Sequence, residues 1–191
     1  MTVALITPPA AEPVTLAEAK AHLRVDVADD DAAIAALVAA ARRHVESLTG
    51  LKLIDQVWRL YRDGWPADGL VPIPLFPVSA IGPVVVYDAA GTPATLAPAA
   101  YRLDTRSRPP RLRLEAGAAG PGIGLNGIEI DVTAGFGASA AAVPAGLRQA
   151  VLMLTARWYE DRDGAALGVV APEAADRLSD LLAPFRSPRL A

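Results

Sequence analysis

The chain has no cysteine, so disulfides and thiolate metal sites are excluded at the outset. Histidine is nearly as scarce. His22 and His44 stand alone in 191 residues, too few for most zinc centres, and each falls on a predicted helix where packing is the ordinary role of a histidine. Because no histidine follows Ser139, the segment Gly137–Ala138–Ser139 does not open a hydrolase triad in the nucleophile-first order. Lysine is confined to Lys20 and Lys52, and the formal charge is −3, without the basic excess of a nucleic-acid-binding domain. No apolar run reaches the roughly 18 residues of a membrane span, and the opening MTVALITPPAAEP lacks the basic region of a secretory signal. These absences point to a soluble, non-secreted protein with no membrane partner, no cofactor and no metal.

What is present is apolar residues at 52% of the chain, enough for a real core. The clearest helical stretch is Val143 to Arg162, where Leu147, Val151, Leu154 and Trp158 recur at helical spacing and Pro144 suits the first turn. This is the expected central helix, with Trp158 buried. Thr15 and Glu18 form a capping box ahead of a short helix to about Leu23. Asp29, Asp30 and Asp31 then precede an alanine-rich helix to about Leu48, closed by Gly50. Its expected buried stripe is Ile34, Leu37, Val38, Ala41, Val45 and Leu48, with Arg42, Arg43 and Glu46 on the opposite face.

From Leu51 to Gly137 the period changes from helical to twofold, with proline and glycine punctuation. Strands are predicted at Gln56 to Arg62, Val84 to Asp88 paired with Thr95 to Leu96, Tyr101 to Asp104, Arg111 to Leu114 and Ile128 to Thr133. Ile128, Ile130 and Val132 face in; Glu129 and Asp131 face out. A final helix spans Pro172 to Leu182, and the prolines at 184 and 188 predict an extended end. The expected fold is α+β: about four helices in a small body, an inserted antiparallel β-rich subdomain and an extended C-terminal tail. The boundaries are 1–50 for the first helices, 51–142 for the insert, 143–183 for the last helices and 184–191 for the tail.

Few constellations carry chemistry. Gly122 to Gly127 matches G-x-G-x-x-G but precedes a strand, whereas pyrophosphate binding needs a helix N-terminus after it. Asp161, Asp163 and Gly164 start like a calcium loop whose later acidic ligands are absent. Arg102, Arg106, Arg108, Arg111 and Arg113 form a basic cluster suited either to an anionic partner or to a solvated hairpin face.

The segments PVTLAEAKAHLRVD (Pro13 to Asp26), ARRHVESLTGLKL, QVWRL and AVPAGLRQAVLMLTARWYEDR occur in an order that resembles the phage head-tail connector, or adaptor, family of long-tailed phages, prophages and gene transfer agents. The resemblance covers about nine-tenths of the chain. It implies a structural, non-enzymatic virion protein, twelve copies of which form a ring beneath the portal protein and above a stopper or tail-completion protein. DNA would pass through the ring without sequence-specific binding, and assembly would take place in the cytoplasm of a bacterial host. Phe185, Arg186, Arg189 and Leu190 in the tail are the expected portal-binding residues, because an extended peptide with apolar and guanidinium anchors suits docking on another chain. Arg106, Arg108, Arg111 and Arg113 are the expected contacts to a partner or to DNA. The competing classes are a small nucleic-acid-binding module, opposed by the net charge, and an enzyme, opposed by the shortage of catalytic residue types.

Overall fold

The computed structural model describes residues 1–161 and 172–186. The chain forms two compact units. One joins Met1–Ala10 to Asp55–Phe136, and the other joins Ala11–Ile54 to Gly137–Ala191.

The second unit is helical, with α1 at Leu16–Leu23, α2 at Asp31–Thr49, α3 at Ala145–Glu160 and α4 at Pro172–Leu182. The capping box at the start of α1 forms as read: the Thr15 hydroxyl accepts from the Glu18 N–H at 3.2 Å, and the Thr15 N–H donates to Glu18 Oε2 at 2.8 Å. Two of the helix's orphan donors are thereby satisfied. Gly50 closes α2 at φ 74°, a left-handed position where glycine has no side chain to strain. The acidic run read before α2 does not supply a side-chain cap from its N-cap residue. Asp30 makes no side-chain cap bond; its Oδ2 accepts from the Tyr159 hydroxyl at 2.5 Å, tying the start of α2 to the end of α3.

Helix α3 packs against α1, α2 and α4, and Leu147, Ala150, Val151, Leu154 and Thr155 are its buried residues. Trp158, expected to be buried, is only half-buried, its indole edge-on to His44 with ring centroids 5.6 Å apart. On α2 the stripe of Ile34, Val38, Ala41 and Val45 is buried, but Leu48 is 39% exposed. Arg42 and Glu46, expected on the outer face, are each 6% exposed. They continue the i, i+4 line of Ile34 and Val38, so helical geometry carries them inward.

The first unit holds eight strands: β1 Thr2–Thr7, β2 Gln56–Arg62, β3 Leu70–Pro72, β4 Val78–Tyr87, β5 Pro93–Thr95, β6 Tyr101–Asp104, β7 Arg111–Leu114 and β8 Ile128–Ala134, with β1 and β3 added to the six segments read from sequence. They build a five-stranded sheet in the order β1-β2-β8-β4-β5 and a three-stranded sheet in the order β3-β7-β6, antiparallel throughout. The N-terminal segment, read as part of the helical region, supplies edge strand β1, with Val3 opposite Leu60 and Leu5 opposite Trp58. Proline-rich β3 is also an edge, where a missing N–H is tolerated.

Strand β8 alternates as read. Ile128, Ile130 and Val132 are fully buried, and they share one core with Leu60 and Val84 of the same sheet and Val71 and Leu112 of the smaller one. On the outward side, Arg59 grips Asp131 through two bonds of 2.6 and 2.9 Å and reaches Glu129 at 2.9 Å. This bidentate pair keeps the guanidinium firmly charged.

Candidate interaction surfaces

The arginine cluster lies on the hairpin of β6 and β7. Twofold alternation sends Leu112 into the core and leaves Arg111 and Arg113 exposed. Across the small sheet, Leu70, Arg113 and Arg102 fall in one row, and Pro72, Arg111 and Asp104 in the next. Arg111 pairs with Asp104 at 2.9 Å and Arg102 with Glu115 at 2.7 Å. The Asp104 carboxyl is held below the usual carboxylate range, chiefly by the Arg106 backbone N–H and then by the Arg111 guanidinium. Arg108 turns aside and lies over the Phe76 ring, 4.2 Å from its centroid. Arg106, Arg111 and Arg113, with Arg102, surround a cavity of ≈ 340 Å³ that Leu70 and Leu103 also line. Three of the four arginines singled out in sequence therefore meet at one concavity. Planar guanidinium forks of this kind bind carboxylates or phosphates.

At the C-terminal end, Ala183–Phe185 form a 3₁₀ turn and not an extended start to the tail. The Phe185 ring lies against α3 so closely that a Cβ at Gly146 would stand 3.1 Å from its Cε2. A side chain at Gly146 would press on the ring and shift it by a few tenths of an ångström. Arg186 is exposed, and its Nη1 donates to Ser179 Oγ at 3.3 Å. Arg189 and Leu190 lie outside the described residues.

The G-x-G-x-x-G stretch is a packed loop. Gly122 donates to Tyr87 O at 2.8 Å, Gly127 O accepts from Tyr87 at 2.9 Å, and Asn126 donates to Asp63 Oδ1 at 2.9 Å. A Cβ at Gly122 would fall 2.3 Å from the Ala89 nitrogen. Gly122 is explained by close backbone approach to residues 88 and 89 after β4, Gly127 by its approach to Pro121 and Ile123 within the loop, and Gly124 meets nothing within 4 Å; the loop leads into β8, not into a helix.

A charged cluster on α2 was missed in sequence. Arg42 Nε donates to Glu12 Oε2 at 2.7 Å, and its Nη1 stands 3.5 Å from Glu46 Oε2. Glu46 Oε1 accepts from the Leu53 N–H at 3.0 Å. The cluster thus pins residue 12, where the chain has just entered the helical unit, and residue 53, where it is about to leave it. Arg148 of α3 reinforces this by donating to Pro13 O at 2.9 Å and pairing with Glu18. The available signal was the spacing Ile34, Val38, Arg42, Glu46, a single line along the helix. Among the described residues there is no group of three or more His, Asp or Glu placed to hold a metal ion, and no helix long and apolar enough to cross a membrane.

A family model described as phage gp6-like head-tail connector protein matches residues 13–86. Three solved structures resemble the chain over its whole length. One is the neck of an empty GTA particle computed with C6 symmetry, at 32% identity and a TM-score of 0.82. A second is the virion of a native gene transfer agent (GTA) particle, at 32% and 0.79. A third is the neck of a native GTA particle computed with C12 symmetry, at 33% and 0.79. Each match covers 100% of this chain and 98% of the other. No curated protein matches.

Proposed function

The chain belongs to the family of phage head-tail connector proteins, and on that premise we propose that twelve copies close into a ring in the neck of a phage-like particle, in keeping with the C12 symmetry of one similar neck structure. Its role is structural, that of a neck adaptor. The observation that carries this is the full-length match to a neck chain at 32% identity with a TM-score of 0.82. The ring sits between the portal above and a stopper or tail-completion protein below, and DNA passes through it. The protein does its work by shape and contact, without catalysis, and is assembled in the host cytoplasm before it resides in the particle.

The portal contact is assigned to Arg186, Arg189 and Leu190. Phe185 anchors the start of that segment through its ring on α3. Such a contact, repeated around a ring, gains through effective concentration what each copy lacks in affinity. Deleting residues 187–191 together with Arg186→Ala should leave the thermal transition nearly unchanged and remove co-migration with the portal on size exclusion. Retained co-migration would move the contact elsewhere. Electron micrographs of purified particles carrying the tagged chain test the larger reading: label outside the neck would overturn it.

A further inference from the structure

Two surface features of the chain are left unexplained by its own fold. The first is the row in which Arg102 and Arg113 face each other across β6 and β7, a like-charge pair that costs stability unless an anion stands between. Glu115 takes Arg102. Among the described residues, the Arg106 and Arg113 guanidiniums have no carboxylate at ion-pair distance, and they border the cavity lined by Leu70 and Leu103. The second is the link between α1 and α2. Lys20 Nζ donates to Val27 O at 2.9 Å and pairs with Asp31 at 2.5 Å, which fixes the link in place. Val27 is left 59% exposed at its tip, flanked by the exposed Asp26 and Asp29, neither of them paired among the described residues.

We propose that the clamped link of one copy docks into the arginine cavity of the next, with the Asp26 and Asp29 carboxylates on Arg106 and Arg113 and the Val27 side chain against Leu70, which lies opposite Arg113 on the arginine face of the small sheet. This rests on the ring reading and gives that ring a named contact. A ring closed by rotation joins two different patches of the same chain, and these two are complementary in kind: two carboxylates and an exposed valine on the link, guanidiniums and Leu70 at the cavity. The net charge of −3 with five arginines packed between 102 and 113 places the acidic surplus elsewhere on the same chain. The link is also pre-organised by Lys20, so little conformational freedom is lost on docking.

DNA is the poorer occupant. A duplex backbone offers a continuous line of phosphates, whereas this cavity has apolar residues in its lining and the ionised Asp104 among its borders.

The absence of cysteine makes the contact directly testable. Val27→Cys and Thr105→Cys, the latter an exposed residue at the cavity, are combined in the full chain, concentrated and treated with a short bismaleimide. A ladder of covalent multimers is expected from the double variant, a dimer from mixing the two single variants, and neither from a single variant alone. Absence of the ladder overturns the proposal. Asp26→Arg with Asp29→Arg should weaken the ladder roughly ten-fold, and adding Arg106→Asp with Arg113→Asp should restore it. All four positions are exposed, so the thermal transition should hold; failure of the combined swap to restore the ladder also overturns the proposal. If the arginine changes instead lower DNA retention in filter binding and leave the ladder intact, the cavity serves nucleic acid and the proposal falls. The ring reading is judged separately, by whether the unmodified chain is seen in the neck of particles.

Discussion

The two units of this chain keep their interiors by different means. In the sheet unit the core between the two sheets is apolar, and the Arg59–Asp131 grip lies on the outward side of β8, opposite the buried Ile130. In the helical unit, charge is built into the interior: Arg42 and Glu46 are buried beside Val38 and Val45 and hold Glu12 and Leu53 in place. The difference follows from what each must secure. Strands are held by ladders to their neighbours, whereas the chain segments entering and leaving a helical bundle have no ladder and need side chains to pin them.

The sharpest test of the apolar side is Ile130→Ala, at a fully buried site in the central strand. It should cost about 4 kcal/mol in denaturant titration, through lost burial and a cavity that sheets on both sides keep open. Next comes the charged side. Arg42→Ala leaves two carboxylates without their guanidinium and should cost about 3 kcal/mol, while Arg42→Met with Glu12→Gln and Glu46→Gln should recover much of it. A cost of a few tenths for Arg42→Ala would break the comparison, because the helical unit would then be held by its apolar stripe alone.

Smaller effects sharpen the picture. Gly122→Ala should cost about 2 kcal/mol by driving a methyl into the backbone of residue 89, and Gly124→Ala, which meets nothing within 4 Å, should stay within about 0.5 kcal/mol. A nucleotide site at that loop would show instead as lost binding from both. Thr15→Ala should cost about 1 kcal/mol, the usual loss of a helix cap. Smallest is the effect of acid on α1. The Glu18 carboxyl is held below its ordinary range, first by the Thr15 backbone N–H, so its contribution is present above that range and fades as the pH falls through the lowered folded value. The gap in melting temperature between the natural chain and Glu18→Gln should therefore close in acid.

Trp158 marks the limit of periodicity. The helical spacing of Leu147, Val151, Leu154 and Trp158 placed the helix, yet only the first three are buried; Trp158 is half-buried and meets the His44 ring edge to face. The arginine cluster shows a similar split. Alternation put Arg111 and Arg113 outward, but that Arg106 joins them at a cavity while Arg108 stacks on Phe76 is a matter of how a loop folds back.

By itself the sequence determined the capping box at Thr15, the glycine stop at Gly50, the in-and-out order of β8 and the pairing of the end of β4 with β5, since each rests on neighbours within a few residues and on a fixed backbone period. Only the tertiary structure decided that Thr2–Thr7 leaves its sequence neighbours to become an edge strand beside β2, that Arg42 and Glu46 turn inward, and that Phe185 folds onto Gly146. Those outcomes depend on partners tens of residues away. A charged residue on a helix reads as solvent-facing until the chain brings it a counter-charge, and Glu12 is 30 positions from Arg42.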